Sequence, residues 1–479
     1  MIVYGYLLAL VWGVACVVLS ALCYKLGMKK SLSRKIVHVL IGFEWAILYI
    51  FHGVGPHFLA VCVAFTVMLF IEYRMKLLPM MSSDTDNAPG TVYYGISMTA
   101  MAVASLFLDN YIFAFGISVF VTSFGDGFAG IVGSLVKKYN PRVYKNKTLF
   151  GAISNLLFSF LSVLIISRVF ALGIGIGFAL LISILAVGLE LIGERGLDNI
   201  ILPIGVSIFT YFIIRSPSVA LEYALPIVLT PFIIALVTEK DVLTKFGTIV
   251  AVVLDFIVSV AFGNIGFMFL LLFLCLSVIV DRIKRRVKRR EDVSEKGDKR
   301  DECQVLANGL VAMFSAMFFL VDKSPVFMVA YFASLAEAFS DTCASGLGAF
   351  SKKTYDIFRF KTVENGISGG MSVIGTLASL LAPALLTLVP LLFGVITIIE
   401  YAIIVACAFL GAVFDSLLGS LIQAKYKCTV CEKITEKRIH CDTETTHSSG
   451  IRFITNDTVN LLSTLFSAAL AAILFLAVR

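Results

Sequence analysis

The stretch YIFAFGISVFVTSFGDGFAGIVGSLVKK (111–138) carries one acidic residue, Asp126, in an apolar run that ends on a lysine pair. A run of that length crosses the roughly 30 Å hydrocarbon core of a bilayer as a helix. An aspartate inside it costs roughly 2.5–3.5 kcal/mol on insertion scales, so it is kept only where it faces a cavity, a cation or a partner side chain. The chain writes this pattern twice. EAFSDTCASGLGAFSKK (337–353) aligns without gaps on TSFGDGFAGIVGSLVKK (122–138), sharing Phe124/Phe339, Asp126/Asp341, Ala129/Ala344, Gly133/Gly348, Lys137/Lys352 and Lys138/Lys353.

Working outward, apolar runs long enough to span a membrane recur along all 479 residues, about sixteen of them. A composition of 59% hydrophobic and 15% charged residues fits a polytopic membrane protein and not a soluble core of this size. The expected fold class is all-α: an integral membrane protein of about sixteen transmembrane helices, with a small zinc-binding cytoplasmic loop. The outer turn Arg215-Ser-Pro217 is expected to separate two eight-helix halves, 1–216 and 217–479, with one aspartate motif in each.

The first apolar run lacks a basic leader and is followed by Lys25, Lys29 and Lys30. It reads as a retained span with its N-terminus outside, not as a cleaved signal peptide. The basic loops (25–35, Arg74/Lys76, 137–147, 282–290, 352–361 and 425–438) then all fall on one side, which places both lysine pairs in the cytoplasm; the expected location is a prokaryotic cell membrane. The net charge of +7 is accounted for by this topology, and no nucleic-acid partner is expected. The cluster at 282–300 reads as a solvated linker, with contact to anionic lipid head groups as the alternative.

On a helix Asp126 shares a face with Ala129, Gly130 and Gly133, and Asp341 with Ala344, Ser345 and Gly348. Such a strip, poor in Cβ atoms, admits a neighbouring backbone or a ligand; plain helix packing explains the glycines as well. Lys137, Lys138 and Lys147, and in the second half Lys352, Lys353 and Lys361, flank a loop that enters a glycine-containing helix start. KTLFG (147–151) and KTVENG (361–366) are that start in each half. Ammonium groups at a helix N-terminus suit phosphate, and a carboxylate nearby suits Mg²⁺, although the positive-inside bias accounts for any one lysine. The first half adds Arg34, Lys35 and His38 in SRKIVH (33–38), and Glu190, Glu194, Asp198 and Asn199 in ELIGERGLDN (190–199). Asp198 and Glu190 are the favoured metal ligands or general base there. The repeat predicts two sites of one kind, for a metal-bound phosphorylated ligand at the membrane face.

SRKIVH, FGDGFAG with KTLFG, and LDNIILP together resemble the polyprenol kinase family, which contains dolichol kinase and phytol kinase. The resemblance covers residues 1–215 and implies phosphoryl transfer to an isoprenoid alcohol, with CTP as the usual donor. It points to Arg34, Lys35, His38, Asp126, Lys147, Gly151, Asp198 and Asn199, with His38 or Asp198 as general base. Phe150 stands where many members carry an acidic residue. QVLANG (304–309), FSDTCASGLG (339–348), NGISGGMSVIGTLAS (365–379), FDSLLGSLIQAKYKCTVC (414–431) and NDTVNLLSTL (456–465) resemble a second membrane family whose plant members act as phytyl-phosphate kinases. That resemblance covers most of 220–479 and points to Asn308, Asp341, Lys361, Ser368, Gly369, Gly370, Asp415, Asn456, Asp457 and Asn460. Gly346 departs from a glutamate common in that family. Asp126, Glu190, Asp198, Asp341, Asp415 and Asp457 are the candidate Mg²⁺ ligands. GISGG offers closely spaced backbone N–H groups for a phosphate.

The two resemblances together imply a bifunctional enzyme that makes a prenyl monophosphate in its first half and the diphosphate in its second. A CTP-dependent lipid nucleotidyltransferase needs the same groups, and a two-repeat secondary transporter also carries intramembrane aspartates; both remain alternatives. Finally, KCTVCEKITEKRIHCDTETTH (427–447) has the spacing of a structural zinc site. Cys428, Cys431 and Cys441 form its core, and His447 is preferred over His440 as fourth ligand because His440 adjoins Cys441.

Overall fold

A computed structural model describes residues 2–76, 89–287, 299–358, 361–363 and 368–479. The basic and acidic stretch 288–298 and the loop residues 364–367 lie outside it, so the middle of the cluster at 282–300, on which the lipid-contact reading falls, and the second half of KTVENG lie outside the described residues. The chain is an all-α integral membrane protein. Among the described residues, fourteen helices are long and apolar enough to cross a membrane, and Ile176–Ile192 is a shorter apolar helix. One of the fourteen, Lys245–Val287, breaks at Gly263 (φ 57°, ψ −146°). Its spanning part, forty residues, is about 60 Å long at 1.5 Å per residue, twice the hydrocarbon thickness. Counting it as two crossings and the short helix as one restores the sixteen of the sequence reading.

The division between the compact units differs from the expected one. They are Met1–Glu239 and Lys240–Arg479, not 1–216 and 217–479, so the helices divide nine and seven. The reason is packing. Ala224–Glu239 lies on Ile176–Ile192, where Ala235 joins Val187 and Leu191 in one buried cluster and Phe232 covers Gly188, whose added Cβ would lie 2.8 Å from the ring. A turn such as Arg215–Pro217 marks where the chain reverses and says nothing about which neighbour the next helix prefers.

The motif helix is central in each unit. In an eighteen-residue apolar window, 83% of Tyr111–Leu135 and 72% of Pro325–Gly348 is buried, against 17% of Ile2–Lys25. Small residues at the motif helix allow this close surround. Gly116 lies under the indole of Trp45, where a Cβ would fall 2.3 Å from a ring carbon. Trp45 is itself 3% exposed and stacked on Tyr49 at 5.3 Å. Gly116→Ala is therefore expected to lower stability by about 1–3 kcal/mol through overpacking, read as a lower thermal midpoint of the detergent-solubilised protein.

In the first unit the helix changes pitch just before its aspartate, with a π-helical turn over Val121–Asp126. Such turns concentrate at functional sites because they re-aim one side chain. In the second unit Pro325–Gly348 is one continuous α-helix. A β-hairpin then precedes the next helix in both units. Arg142–Tyr144 pairs with Lys147–Thr148 in the first. In the second, Thr354–Asp356 pairs with both Thr362–Val363 and Gly370–Met371.

Candidate functional site

In the first unit, Lys35 on the helix Lys30–Leu40 donates from Nζ to Asp126 Oδ2 at 2.6 Å and to the Asp126 carbonyl at 3.2 Å. The lysine reaches it over Gly130, where a Cβ would sit 2.6 Å from Lys35 Cε. His38 lies one turn further on, with Nε2 3.2 Å from Asp126 Oδ2 and 3.2 Å from the Thr122 carbonyl oxygen. A carbonyl can only accept, so Nε2 carries a proton, and in the neutral imidazole the lone pair is then on Nδ1. Asp126 is 4% exposed and sits between two nitrogen donors.

Two further carboxylates converge on Lys147, which pairs with Glu190 and lies 3.7 Å from Asp198 Oδ2. Burial works against the ammonium, but Glu190 and Asp198 together hold Lys147 well above the usual lysine range. Asn199 orients Asp198, donating from its backbone N–H at 3.1 Å and from Nδ2 at 3.2 Å to Oδ1. Glu194 pairs instead with Lys145, at a more exposed position. Asp126 lies within electrostatic reach of both Glu190 and Asp198, and Lys35 within reach of all three. The structure thus brings together Lys35, His38, Asp126, Lys147, Glu190, Asp198 and Asn199. Arg34 is half-buried on the same helix, and the pair Lys137–Lys138 is solvent-exposed.

Below Asp126 two glycines meet. Thr148 caps the helix Leu149–Val169 by accepting from the Gly151 N–H at 3.4 Å. A Cβ on Gly151 would lie 3.1 Å from the Ala129 carbonyl, 3.1 Å from Thr148 Oγ1 and 3.7 Å from Gly133 Cα. The second unit repeats this arrangement. Ser372 caps Val373–Leu392 by accepting from the Gly375 N–H at 3.2 Å. A Cβ on Gly375 would lie 3.0 Å from the Ala344 carbonyl, 3.1 Å from Ser372 Oγ and 3.5 Å from Gly348 Cα. The gapless pairing of Ala129 with Ala344 and of Gly133 with Gly348 is thus spatial as well as textual.

It also corrects one expectation. The counterpart of KTLFG is not KTVENG but the segment ending in Gly375, because the helix begins at Val373. Lys361 is exposed in the hairpin loop, as are Lys352 and Lys353, and Lys361 does not stand at the helix start as Lys147 does.

The second unit assembles a different set of acids. Glu337, one turn before Asp341, is 1% exposed, and its Oε1 has no hydrogen-bond partner among the described residues. Asp415 accepts from Ser463 Oγ at 3.1 Å and lies within electrostatic reach of both Glu337 and Asp341. Lys284 is the cation acting on Asp341. Asp457 is half-buried at the start of Asn456–Val478, where Asn456 Nδ2 donates to Asn460 Oδ1 at 3.4 Å. Asn308 donates within its own helix, to the Gln304 carbonyl. Glu337 and Lys284 were missed as site residues from the sequence. Glu337 stands in the quoted EAFSD, and a second acid one helical turn before the buried aspartate was the available signal.

The loop Ser368-Gly369-Gly370 is held from two sides. Gly369 has φ +87°, and a Cβ there would lie 2.5 Å from Ser420 N and 2.6 Å from Ser420 Cα, at the end of Ile398–Leu421. From the other side Glu436 accepts from the Ser368 N–H at 3.1 Å and from the Ser368 hydroxyl, and Lys425 Nζ donates to the Ser368 carbonyl at 2.9 Å. Burial pushes the Glu436 carboxyl above its usual range, opposed by the Ser368 donors. Neither Glu436 nor Lys425 was a sequence candidate.

Both belong to the cysteine loop. There Cys428, Cys431, His440 and Cys441 place their ligating atoms within 4.8 Å of one another, and among the described residues this is the one such group. His440, not His447, is the histidine in it. Cys441 and Asp442 adopt φ of 52° and 57°, a left-handed turn that swings His440 Nδ1 to 3.2 Å from Cys441 Sγ. Adjacency therefore does not prevent sharing. His447 instead packs edge-on to Tyr426 with ring centroids 5.7 Å apart, and its Nε2 is buried. The Cys428 thiol is drawn down to about 6, chiefly by backbone N–H donation from Cys431.

Residues 228–468, half of the chain, match the family described as Integral membrane protein DUF92. The chain belongs to this family. It is 33% identical over 196 residues to the uncharacterized membrane protein MJ0933 of Methanocaldococcus jannaschii, covering 40% of this chain and 80% of that one. It is 27% identical over 228 residues to Protein VTE6, chloroplastic, of Arabidopsis thaliana, covering 46% of this chain and 62% of that protein. A phytol kinase of Synechocystis sp. is 28% identical over 150 residues, covering 29% of this chain and 61% of the kinase. No solved structure matches the chain.

Proposed function

We propose that this DUF92 protein is a membrane isoprenoid-lipid kinase with two active sites. The first unit phosphorylates a prenol to its monophosphate, and the second phosphorylates the monophosphate to the diphosphate, each from a nucleoside triphosphate, CTP, with Mg²⁺. The sites face the cytoplasm of a prokaryotic cell, with the N-terminus outside. The observation that carries the reading is the repeated close approach of Gly133 to Gly151 and of Gly348 to Gly375, about two helical turns after Asp126 and Asp341. The similarity to a phytol kinase supports its chemistry.

In the first unit the prenol hydroxyl oxygen attacks the terminal phosphorus, the bond to the bridging oxygen breaks, and the nucleoside diphosphate leaves. The hydroxyl proton goes to His38 Nδ1 or to Asp198. Lys147 and Lys35 offset charge on the transferring group, beside the positive end of the helix Leu149–Val169, whose first three N–H groups are already taken by Pro141, Asn140 and Thr148. In the second unit the acceptor is itself a phosphate, already ionised, so no general base is required. The second site correspondingly holds Asp341, Asp415 and Glu337 with Lys284 as the nearby cation, and lacks a histidine at the position of His38.

Among the described residues no three carboxylates of either unit bring ligating oxygens within 4.8 Å of one another. That suits Mg²⁺, which takes one or two carboxylates and completes its shell with water and substrate phosphates. Asp126 and Asp198 would hold it in the first unit, and Asp341 and Asp415 in the second. When bound, the ion neutralises charge on the donor phosphates.

The test uses purified protein in detergent with Mg²⁺, a panel of prenols and prenyl monophosphates, and γ-labelled CTP, UTP, GTP or ATP. Label is expected in the monophosphate from prenols and in the diphosphate from monophosphates. No transfer from any donor, under conditions where a known prenol kinase works, would refute the reading. A CDP-linked lipid as product would replace it with nucleotidyl transfer.

A further inference from the structure

We propose that Cys428, Cys431, His440 and Cys441 bind one zinc ion, and that this ion clamps the loop Ser368–Gly370 of the second unit through Glu436 and Lys425. The functional consequence rests on the reading of that loop as a phosphate cradle; the structural coupling does not.

The donor set fits zinc. Tetrahedral zinc, with bonds of about 2.3 Å to sulfur and about 2.0–2.1 Å to nitrogen, has N···S edges of about 3.5 Å and S···S edges of about 3.8 Å. Here His440 Nδ1 is 3.5 Å from Cys431 Sγ and 3.2 Å from Cys441 Sγ, and all four ligating atoms lie within 4.8 Å. The Cys428 sulfur also accepts from the Val430 N–H at 3.4 Å, which favours the thiolate that zinc requires. Three thiolates and an imidazole complete a tetrahedron and leave no position for water, the signature of a structural ion and not a catalytic one.

What the ion would hold follows from the fold of the loop. Residues 422–455 contain strands of two to four residues, too short to be stable without a staple. Lys425–Lys427 pairs with Ile434–Thr435 in the register Tyr426 to Thr435. The turn between them carries Cys428 and Cys431, closed by Cys428 N–H donation to the Lys433 carbonyl at 3.0 Å. Lys425 begins the first strand and Glu436 follows the second, so both leave the metal-bearing hairpin at its open end. There they grip Ser368 by its N–H, hydroxyl and carbonyl. In the first unit the same interval, between Ile192 and Asp198, is the short turn 193–197 without cysteine. The clamp is an addition to the second site only.

The experiment measures zinc by mass spectrometry and hydrogen–deuterium exchange in the full-length protein, purified in detergent with a thiol reductant. One zinc per chain is expected. Chelation, or Cys431→Ser with Cys441→Ser, should speed exchange over Ser368–Gly375 by about tenfold, and zinc add-back after chelation should restore protection. Glu436→Gln should retain zinc and loosen the same peptide. The proposal is overturned if the reduced protein holds no stoichiometric zinc, if a Cys428–Cys441 or Cys431–Cys441 disulfide takes its place, or if zinc leaves without a change in exchange at Ser368–Gly375. Neither readout depends on phosphoryl transfer, so failure of the kinase reading and failure of the clamp are separable.

Discussion

Asp126→Asn is expected to reduce phosphorylation of the prenol by about 10²–10³-fold and to leave conversion of monophosphate to diphosphate unchanged. Asp341→Asn is expected to do the reverse. The first effect follows from the position of Asp126, which holds Lys35 at 2.6 Å and His38 at 3.2 Å. An amide cannot balance that lysine, and it weakens the charge-assisted contact to His38, whose Nε2 proton the Thr122 carbonyl still holds. Truncating one partner of a buried pair also destabilises, by about 3–5 kcal/mol at the upper end, so loss of activity alone would not separate chemistry from folding. Asp126→Asn combined with Lys35→Met removes the uncompensated ammonium. It should recover stability while the first transfer stays lost. The assay follows label from the donor into each product with each acceptor supplied separately. If either aspartate variant lost both steps while remaining folded, the two units would share one site and the two-step reading would fall.

Gly369→Ala is expected to abolish the second transfer, by at least about 10²-fold, with the first intact. Gly369 has φ +87°, where a side chain is strained, and its Cβ would fall 2.5 Å and 2.6 Å from the backbone nitrogen and Cα of Ser420. Backbone cannot yield as a flexible side chain does. Ser420 is further tied down, its hydroxyl lying 2.9 Å and 2.8 Å from the two oxygens of Asp356. The loop would therefore move away from the end of Ile398–Leu421 and carry the Ser368 N–H and its neighbours with it. A displacement of about 1 Å is enough for a loss of that size when catalysis is mainly positioning. Ser368→Ala, which removes one hydroxyl and no backbone geometry, should cost much less. Full second-step activity in a folded Gly369→Ala protein would show that this loop is not the phosphate cradle.

Much of the first site was legible in the chain. SRKIVH and ELIGERGLDN place charges one helical turn apart, and a charge inside an apolar run has few reasons to exist other than a partner. Lys35, His38, Asp126, Lys147, Glu190, Asp198 and Asn199 accordingly meet in space. The second site was less legible. KTVENG looked like KTLFG, but nine residues more separate Asp341 from Gly375 than separate Asp126 from Gly151, and the extra chain is spent on the three-stranded turn around Thr354–Asp356. The helix-start signature common to both, Thr or Ser three residues before glycine, was present in MSVIGT and passed over. Glu436 and Lys425 were beyond reach because their roles arise from a loop folding back on a segment about sixty residues earlier in the chain, which no local pattern encodes.

Composition and hydropathy were enough to read an integral membrane protein of about sixteen crossings, with one carboxylate motif inside an apolar run in each half. Those are consequences of hydrocarbon thickness and of the cost of burying charge, both of which act locally along the chain. Tertiary structure alone decided that Ala224–Glu239 joins the first unit, that His440 and not His447 completes the cysteine cluster, and that Ser372 and Gly375 mirror Thr148 and Gly151. Each of these depends on which surfaces fit at close range, a matter of packing and backbone handedness between segments distant in sequence.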